Sequence, residues 1–170
     1  MSKSKYRVVV DADVARASGE TAHPVSSACR DALKLMLDNK HSLVMCPKLQ
    51  SEWGRHKSAY ATKWLASMFA RRLVIRVFHE DLVANRIKSS CSTDAIKNIA
   101  GKDSHIVDAA LVEGGFVASG DEKAKAAFLS ISEIKGIIAN VVWVNPILNK
   151  ELCVSIFEGG LDCPDDLRLR

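Results

Sequence analysis

Short apolar runs alternate with longer amphipathic stretches along the chain. Residues 7–10 form a β-branched run, Arg-Val-Val-Val, that stops abruptly at Asp11, as a buried strand does. Two further runs lie at residues 43–46, stopped by Pro47, and at residues 73–78. A fourth covers residues 116–119, and a fifth covers residues 137–144 and ends at Asn145-Pro146. Between these runs the apolar positions recur at helical spacing. Residues 26–39 carry Cys29, Leu33, Met36 and Leu37 and close at Asp38-Asn39. Residues 49–69 read as one helix or two, with Gly54 as the weak point. Short helices are expected at 80–88 and 94–99, then a break at Gly101, a helix over 103–113 ended by Gly114-Gly115, and another over 121–130. Strands alternating with helices predict a parallel sheet of about five strands with helices on both faces, a three-layer α/β/α architecture.

Composition narrows the class. The chain has 170 residues, a single domain's length, and its 48% apolar and 26% charged content excludes disorder and fibre. No run approaches the roughly 18 apolar residues of a membrane span. No signal-type apolar region precedes Asp11. Five cysteines without a Cys-x-x-Cys motif read as free thiols in a reducing compartment, so a cytoplasmic protein is expected. Residues 1–149 carry the alternating pattern of one domain. Residues 150–170, with Gly159-Gly160 and Pro164, are the least core-like and are expected to form a C-terminal appendage, mobile or packed on a partner.

The net charge of +4 says little by itself, but its distribution says more. Residues 53–76 hold six basic side chains (Arg55, Lys57, Lys63, Arg71, Arg72, Arg76) and no acidic one, interleaved with Trp53, Tyr60, Trp64 and Phe69. Such a sector suits a single-stranded polyanion, whose phosphates meet Lys and Arg and whose bases stack on rings. The same pattern also fits an amphipathic helix with a basic outer face. On that view Trp64 and Phe69 belong to the buried stripe, which leaves Arg55, Lys57, Arg71 and Arg72 as the candidate phosphate contacts.

Four acids stand at or just past the expected strand ends, where open parallel sheets gather their working residues. Asp11 closes the first strand, Glu52 follows the second, Asp103 opens the helix before the fourth, and Asp121 follows the fourth. Taken singly, Asp103 and Asp121 could be helix N-caps worth about 1 kcal/mol, and Glu52 a favourable first-turn charge. Asp11 fits such a role least, because a carboxylate closing a buried strand needs a partner. Convergence of all four would demand a cation, and hard oxygen donors select Mg²⁺ or Mn²⁺.

These residues, in this order, resemble the PIN-domain ribonucleases. The strand-one signature stands here as Val8-Val9-Val10-Asp11-Ala12-Asp13, with Asp13 in the usual Asn place. The acid after strand two matches Glu52, and the third matches Asp103 in Asp103-Ser104-His105-Ile106-Val107-Asp108-Ala109-Ala110-Leu111. The fourth matches Asp121 in Ser119-Gly120-Asp121, with Ser119 for the usual Thr. The resemblance covers residues 6–144. It implies metal-dependent endonucleolytic hydrolysis of single-stranded RNA, with one or two Mg²⁺ or Mn²⁺ ions held by Asp11, Glu52, Asp103 and Asp121. Asp11 and Asp103 would be the main ligands. Asp121 and Glu52 would complete a second site or orient the water, and Ser119 would support Asp121. Asp13 would add a fifth negative charge. Asp108 lies about 140° around a helix from Asp103 and shares a face with His105, so a structural pair or a supporting contact behind the ligands is expected. His105 is not expected to act as a base. The resemblance further implies a homodimer and, for toxin-type members of toxin–antitoxin modules, an antitoxin protein as partner.

Two other readings use the same residues. One is a PIN-like module that binds RNA or protein without cutting. The other is a haloacid-dehalogenase-type phosphatase with Asp11 as nucleophile and Asp13 as general acid/base. The phosphatase reading gives Glu52 and Asp103 no role, and Lys125 stands where that family wants a late acid. The five histidines show no His-x-x-x-His spacing, and neither a P-loop nor a Gly-x-Ser-x-Gly elbow is present.

Overall fold

Val8, Val9 and Val10 are completely buried because β1 (Arg7–Val10) is the middle strand of the sheet. The computed structural model describes residues 4–159 and 162–170. On one side β1 pairs with β2 (Ser42–Met45), which pairs with β3 (Val74–Arg76). On the other it pairs with β4 (Phe116–Ala118), which pairs with β5 (Val142–Val144). Among the described residues this is one five-stranded parallel sheet, ordered β3-β2-β1-β4-β5. The chain runs outward from β1 to β3, returns to the centre at β4 and runs outward again. The reversal falls between β1 and β4, and there the connections leave a crevice beyond the carboxyl ends of the strands. Gly114 makes the approach to β4 feasible. Its φ is 84°, and a Cβ there would lie 2.1 Å from the Arg7 carbonyl oxygen.

Helices flank the sheet, giving the expected α/β/α class. They are α1 (Ala12–Ala17), α2 (Pro24–Asp38), α3 (Pro47–His56), α4 (Ala59–Ala70), α5 (Leu82–Ser89), α6 (Asp94–Val112), α7 (Glu122–Ser130), α8 (Lys135–Ile138) and α9 (Lys150–Phe157). α6 packs on β1, β2 and β4 and between α5 and α7, while α2 packs against α1, α4 and α9. No helix among the described residues is long and apolar enough to cross a membrane. All five cysteines are free thiols.

Several boundaries differ from the sequence reading. α1 has only six residues, too few to show a period, and nothing in the hydrophobic pattern announces it. The helical stretch after Pro47 does divide in two, but at Lys57-Ser58. Ser58 Oγ accepts from the Ala61 N–H at 3.0 Å and caps α4, whereas Gly54 lies inside α3. Gly101 breaks nothing: α6 runs unbroken through it, held by buried Ala100 and by residues 103–110. The fifth strand keeps only Val142–Val144, because residues 135–138 turn helical. Trp64 is buried as expected and its ring lies 5.8 Å from that of Trp53, but Phe69 is 44% exposed, with the Arg76 guanidinium 5.8 Å from its ring centroid.

The C-terminal segment is built into the domain core. Cys153, Ile156 and Phe157 of α9 are buried, as are Leu167 and Leu169. Arg168 forms an antiparallel bridge to Val142, and the Leu169 N–H donates to the Val141 carbonyl at 2.9 Å. His41 pins the segment from below. Its Nδ1 accepts from the Tyr6 N–H at 3.0 Å, so its Nε2 carries the proton and donates to the Phe157 carbonyl at 2.7 Å. Leu152, Cys153, Ile156 and Phe157 recur at helical spacing, but nothing local names α2 as the helix they pack on.

Candidate functional site

Every one of the four strand-end acids reaches a single cavity of about 270 Å³ at the β1/β4 crevice. Asp11 follows β1 directly and is the N-cap of α1. Its Oδ1 accepts from the Asp13 N–H at 3.4 Å, and its own N–H extends the ladder to the Ala118 carbonyl at 3.0 Å. Ser119 is the hinge between the two strand ends. Its hydroxyl donates to Asp11 Oδ2 at 2.8 Å and accepts from the Asp121 N–H at 3.1 Å. Asp121 spends one carboxylate oxygen capping α7, at 2.9 Å from the Ala124 N–H. Glu52 comes from α3, which is fastened to the end of β1 by the Trp53 indole N–H donating to the Val10 carbonyl at 2.9 Å. Asp103 comes from α6. It is buried, yet no hydrogen bond to its carboxylate exists among the described residues, and it faces the cavity. The Lys48 ammonium ties α3 to α6 by donating to the Lys102 carbonyl at 2.7 Å.

Asp13 is the fifth carboxylate in the cavity wall. Its Oδ2 accepts from the Gly120 N–H at 3.0 Å and so fixes the turn after β4, while its Oδ1 is buried with no partner among the described residues. The Gly120 contact is close: a Cβ there would lie 3.0 Å from Asp13 Oδ2.

Burial and mutual repulsion govern the protonation of this group. Burial raises the Asp11 pKa, as do the Glu52 and Asp121 charges, while the Ser119 hydroxyl and the Asp13 N–H oppose the rise. Asp13 is pushed up to about 7 by burial and the Asp11 charge, and Asp103 to about 6 by the same two causes, with Lys102 opposing. His105 supports Glu52: its Nε2 lies 2.9 Å from Glu52 Oε2. Burial lowers the His105 pKa against the pull of Glu52. The neutral ring therefore donates Nε2–H to the carboxylate and keeps a bare Nδ1, the atom left without a partner.

Not every expected residue is here. Of the candidate phosphate contacts, Arg55 lines the cavity. Lys57, the C-cap of α3, is not part of its wall. Arg71 and Arg72 lead into the amino end of β3, so the parallel sheet places them at the edge opposite the acids. Asp108 is not behind the ligands either. It accepts from the Val83 N–H at 2.9 Å and the Ala84 N–H at 3.4 Å, satisfying the first turn of α5, and it does not pair with His105. Arg16, His56 and Lys102 line the cavity without having been expected there. Lys102 was open to inference as the neighbour of Asp103. Arg16 depended on recognising α1, and His56 on recognising where α3 ends.

Five carboxylates with an orphaned oxygen face one cavity, with Arg16, Arg55 and Lys102 as its cations. An all-oxygen donor set of this kind suits a hard divalent cation. Comparison of the chain with family models, with curated proteins and with solved structures returned no match, so the functional reading rests on this geometry.

Proposed function

We propose that the chain is a Mg²⁺- or Mn²⁺-dependent ribonuclease of the PIN type that hydrolyses single-stranded RNA at the acidic cavity. The observation that carries the reading is the convergence of Asp11, Glu52, Asp103 and Asp121 on one cavity at the sheet's reversal point. Asp11, Asp103, Asp121 and Glu52 would hold the ion, and the unpartnered Asp13 oxygen fits a site that awaits positive charge. When bound, such an ion activates water and neutralises charge building on a phosphodiester.

The chain's own groups would do the rest. The Ser119 hydroxyl holds Asp11 in one rotamer and anchors the Asp121 backbone, so the two strand ends move as a unit. His105 holds Glu52 by a neutral donor, which leaves the carboxylate its full charge. Arg16, Arg55 and Lys102 stand at the cavity wall, where they can meet the phosphates flanking the scissile bond. Trp53 and Trp64 are buried, so affinity would come from charge more than from stacking on these rings.

Purified wild-type protein and Asp103→Asn would be assayed on single-stranded and structured RNA with Mn²⁺, Mg²⁺ or chelator. Cleavage of single-stranded RNA that needs metal and is lost in the variant is the expected result. Equal cleavage by the variant, or cleavage in chelator, would overturn the reading. RNA binding without cutting under every condition would favour the non-catalytic module.

A further inference from the structure

A second group of metal-ligating side chains lies away from the acidic cavity. His79 sits between β3 and α5, Asp81 immediately precedes α5, and Asp108 reaches them from α6. One ligand atom from each lies within 4.8 Å of the other two. The His79 side chain is only 9% exposed, and its Nδ1 is 3.3 Å from Asp81 Oδ1. That nitrogen nevertheless has no hydrogen-bond partner among the described residues. A buried imidazole nitrogen beside a carboxylate with no bond formed is the kind of donor a metal ion engages. Asp108 is held still by the Val83 and Ala84 N–H groups, as a ligand supported by outer contacts is. Beside the group opens a cavity of about 400 Å³ whose other walls include Phe78, Leu82, Leu111 and Val112.

We propose that His79, Asp81 and Asp108 form a second metal site, selective for a divalent transition ion such as Zn²⁺. The donor set decides the selectivity. One imidazole and two carboxylates suit Zn²⁺, whereas the five converging carboxylates of the acidic cavity suit Mg²⁺ or Mn²⁺. Three protein ligands leave a coordination position open toward the solvent-facing cavity beside them. The ligands lie 2 and 27 residues apart, His79 to Asp81 and Asp81 to Asp108, so no local His motif exists to signal the site. The two cavities share no lining residue, so the proposal stands independently of the nuclease reading.

The test is equilibrium dialysis of the full chain against Zn²⁺ in excess Mg²⁺, which competes for the acidic cavity. Wild type, His79→Ala, Asp81→Asn and Asp103→Asn would be compared, with circular dichroism to confirm that each is folded. Asp81 is exposed, so its variant keeps the test valid if His79→Ala fails to fold. Wild type and Asp103→Asn are expected to retain about one Zn²⁺ per chain. His79→Ala and Asp81→Asn are expected to bind it about tenfold more weakly or worse. No Zn²⁺ retained by wild type, unchanged affinity in folded variants, or loss confined to Asp103→Asn would each overturn the proposal. The last outcome would place the ion in the acidic cavity. Loss of RNA cleavage does not enter the readout, so failure here and failure of the nuclease reading are separable.

Discussion

Asp103 and Asp108 lie on the same helix, five residues apart, and both are buried, yet they are wired in opposite ways. Asp108 accepts two backbone N–H groups and closes the first turn of α5. Asp103 receives no hydrogen bond among the described residues, faces the Asp11 charge and opens onto a cavity. Burial raises the pKa of both, but for Asp108 the donated N–H groups oppose the rise, while for Asp103 the nearby acids add to it. The difference teaches that burial alone does not mark a functional carboxylate. The desolvation of Asp108 is already offset by backbone donors that also hold it in place, whereas that of Asp103 is left for something from outside.

Replacing each in turn should sharpen that contrast. Asp103→Asn is expected to lower RNA cleavage by on the order of 10³-fold, with no fall in Tm because a repulsion is relieved. A drop in Tm would mean that Asp103 is structural after all.

The next largest effect concerns pH without metal. Asp13 and Asp103 have pKa values near 7 and 6, above the ordinary 3.8, so the native state binds their protons more tightly than the unfolded chain does. Their contribution to stability is complete below the unfolded value and lost as pH rises through the folded ones. Stability in chelator should therefore fall between about pH 4 and pH 7, by on the order of a few kcal/mol. Asp13→Asn should flatten that decline, and added Mn²⁺ should restore Tm at neutral pH. Thermal melts across the range check this, and a flat profile in wild type would refute it.

His105 stands between the two acids on α6 and supports Glu52 from behind. His105→Ala should cost roughly 10–100-fold in metal affinity or activity. His105→Gln, which keeps a donor, should recover part of the loss. If the two variants are equally impaired, the hydrogen bond to Glu52 is not what matters. The smallest effect is that of Asp108→Ala, about 1–2 kcal/mol of stability from the uncapped α5, read as a lower denaturation midpoint.

The sheet, Asp11 and Asp121 were legible because each depends on local signals, an apolar run, a stop and a carboxylate just after it. Glu52 and Asp103 stand on helices and were tied to the site through the family pattern. The 100° helical step also set Asp108 apart from Asp103, so that a structural or supporting contact was expected ahead of ligation. What it could not supply was the partner. Choosing between His105 and the backbone of α5 required knowing which helices flank α6. Arg71 and Arg72 looked like phosphate contacts because charge was counted along the chain, while the strand direction that sends them to the opposite edge appears only once β3 is paired. The C-terminal segment was misjudged for a related reason. His41, Tyr6 and Phe157 hold it together across more than a hundred residues of sequence, and no window of periodicity spans that distance.

The place of β4 beside β1 has a consequence in time. β4 is the fourth strand in sequence but the central strand's immediate neighbour, so Asp11 gains its Ser119 hydrogen bond only when residues 108 positions apart have met. Such long-range pairing is slow to form. A chain folded only through β3 would have Asp11 and Glu52 but neither Ser119 nor Asp121 opposite them. The acidic cavity is thus completed only once β4 has docked on β1, and a chain synthesised only through β3 carries only part of its wall.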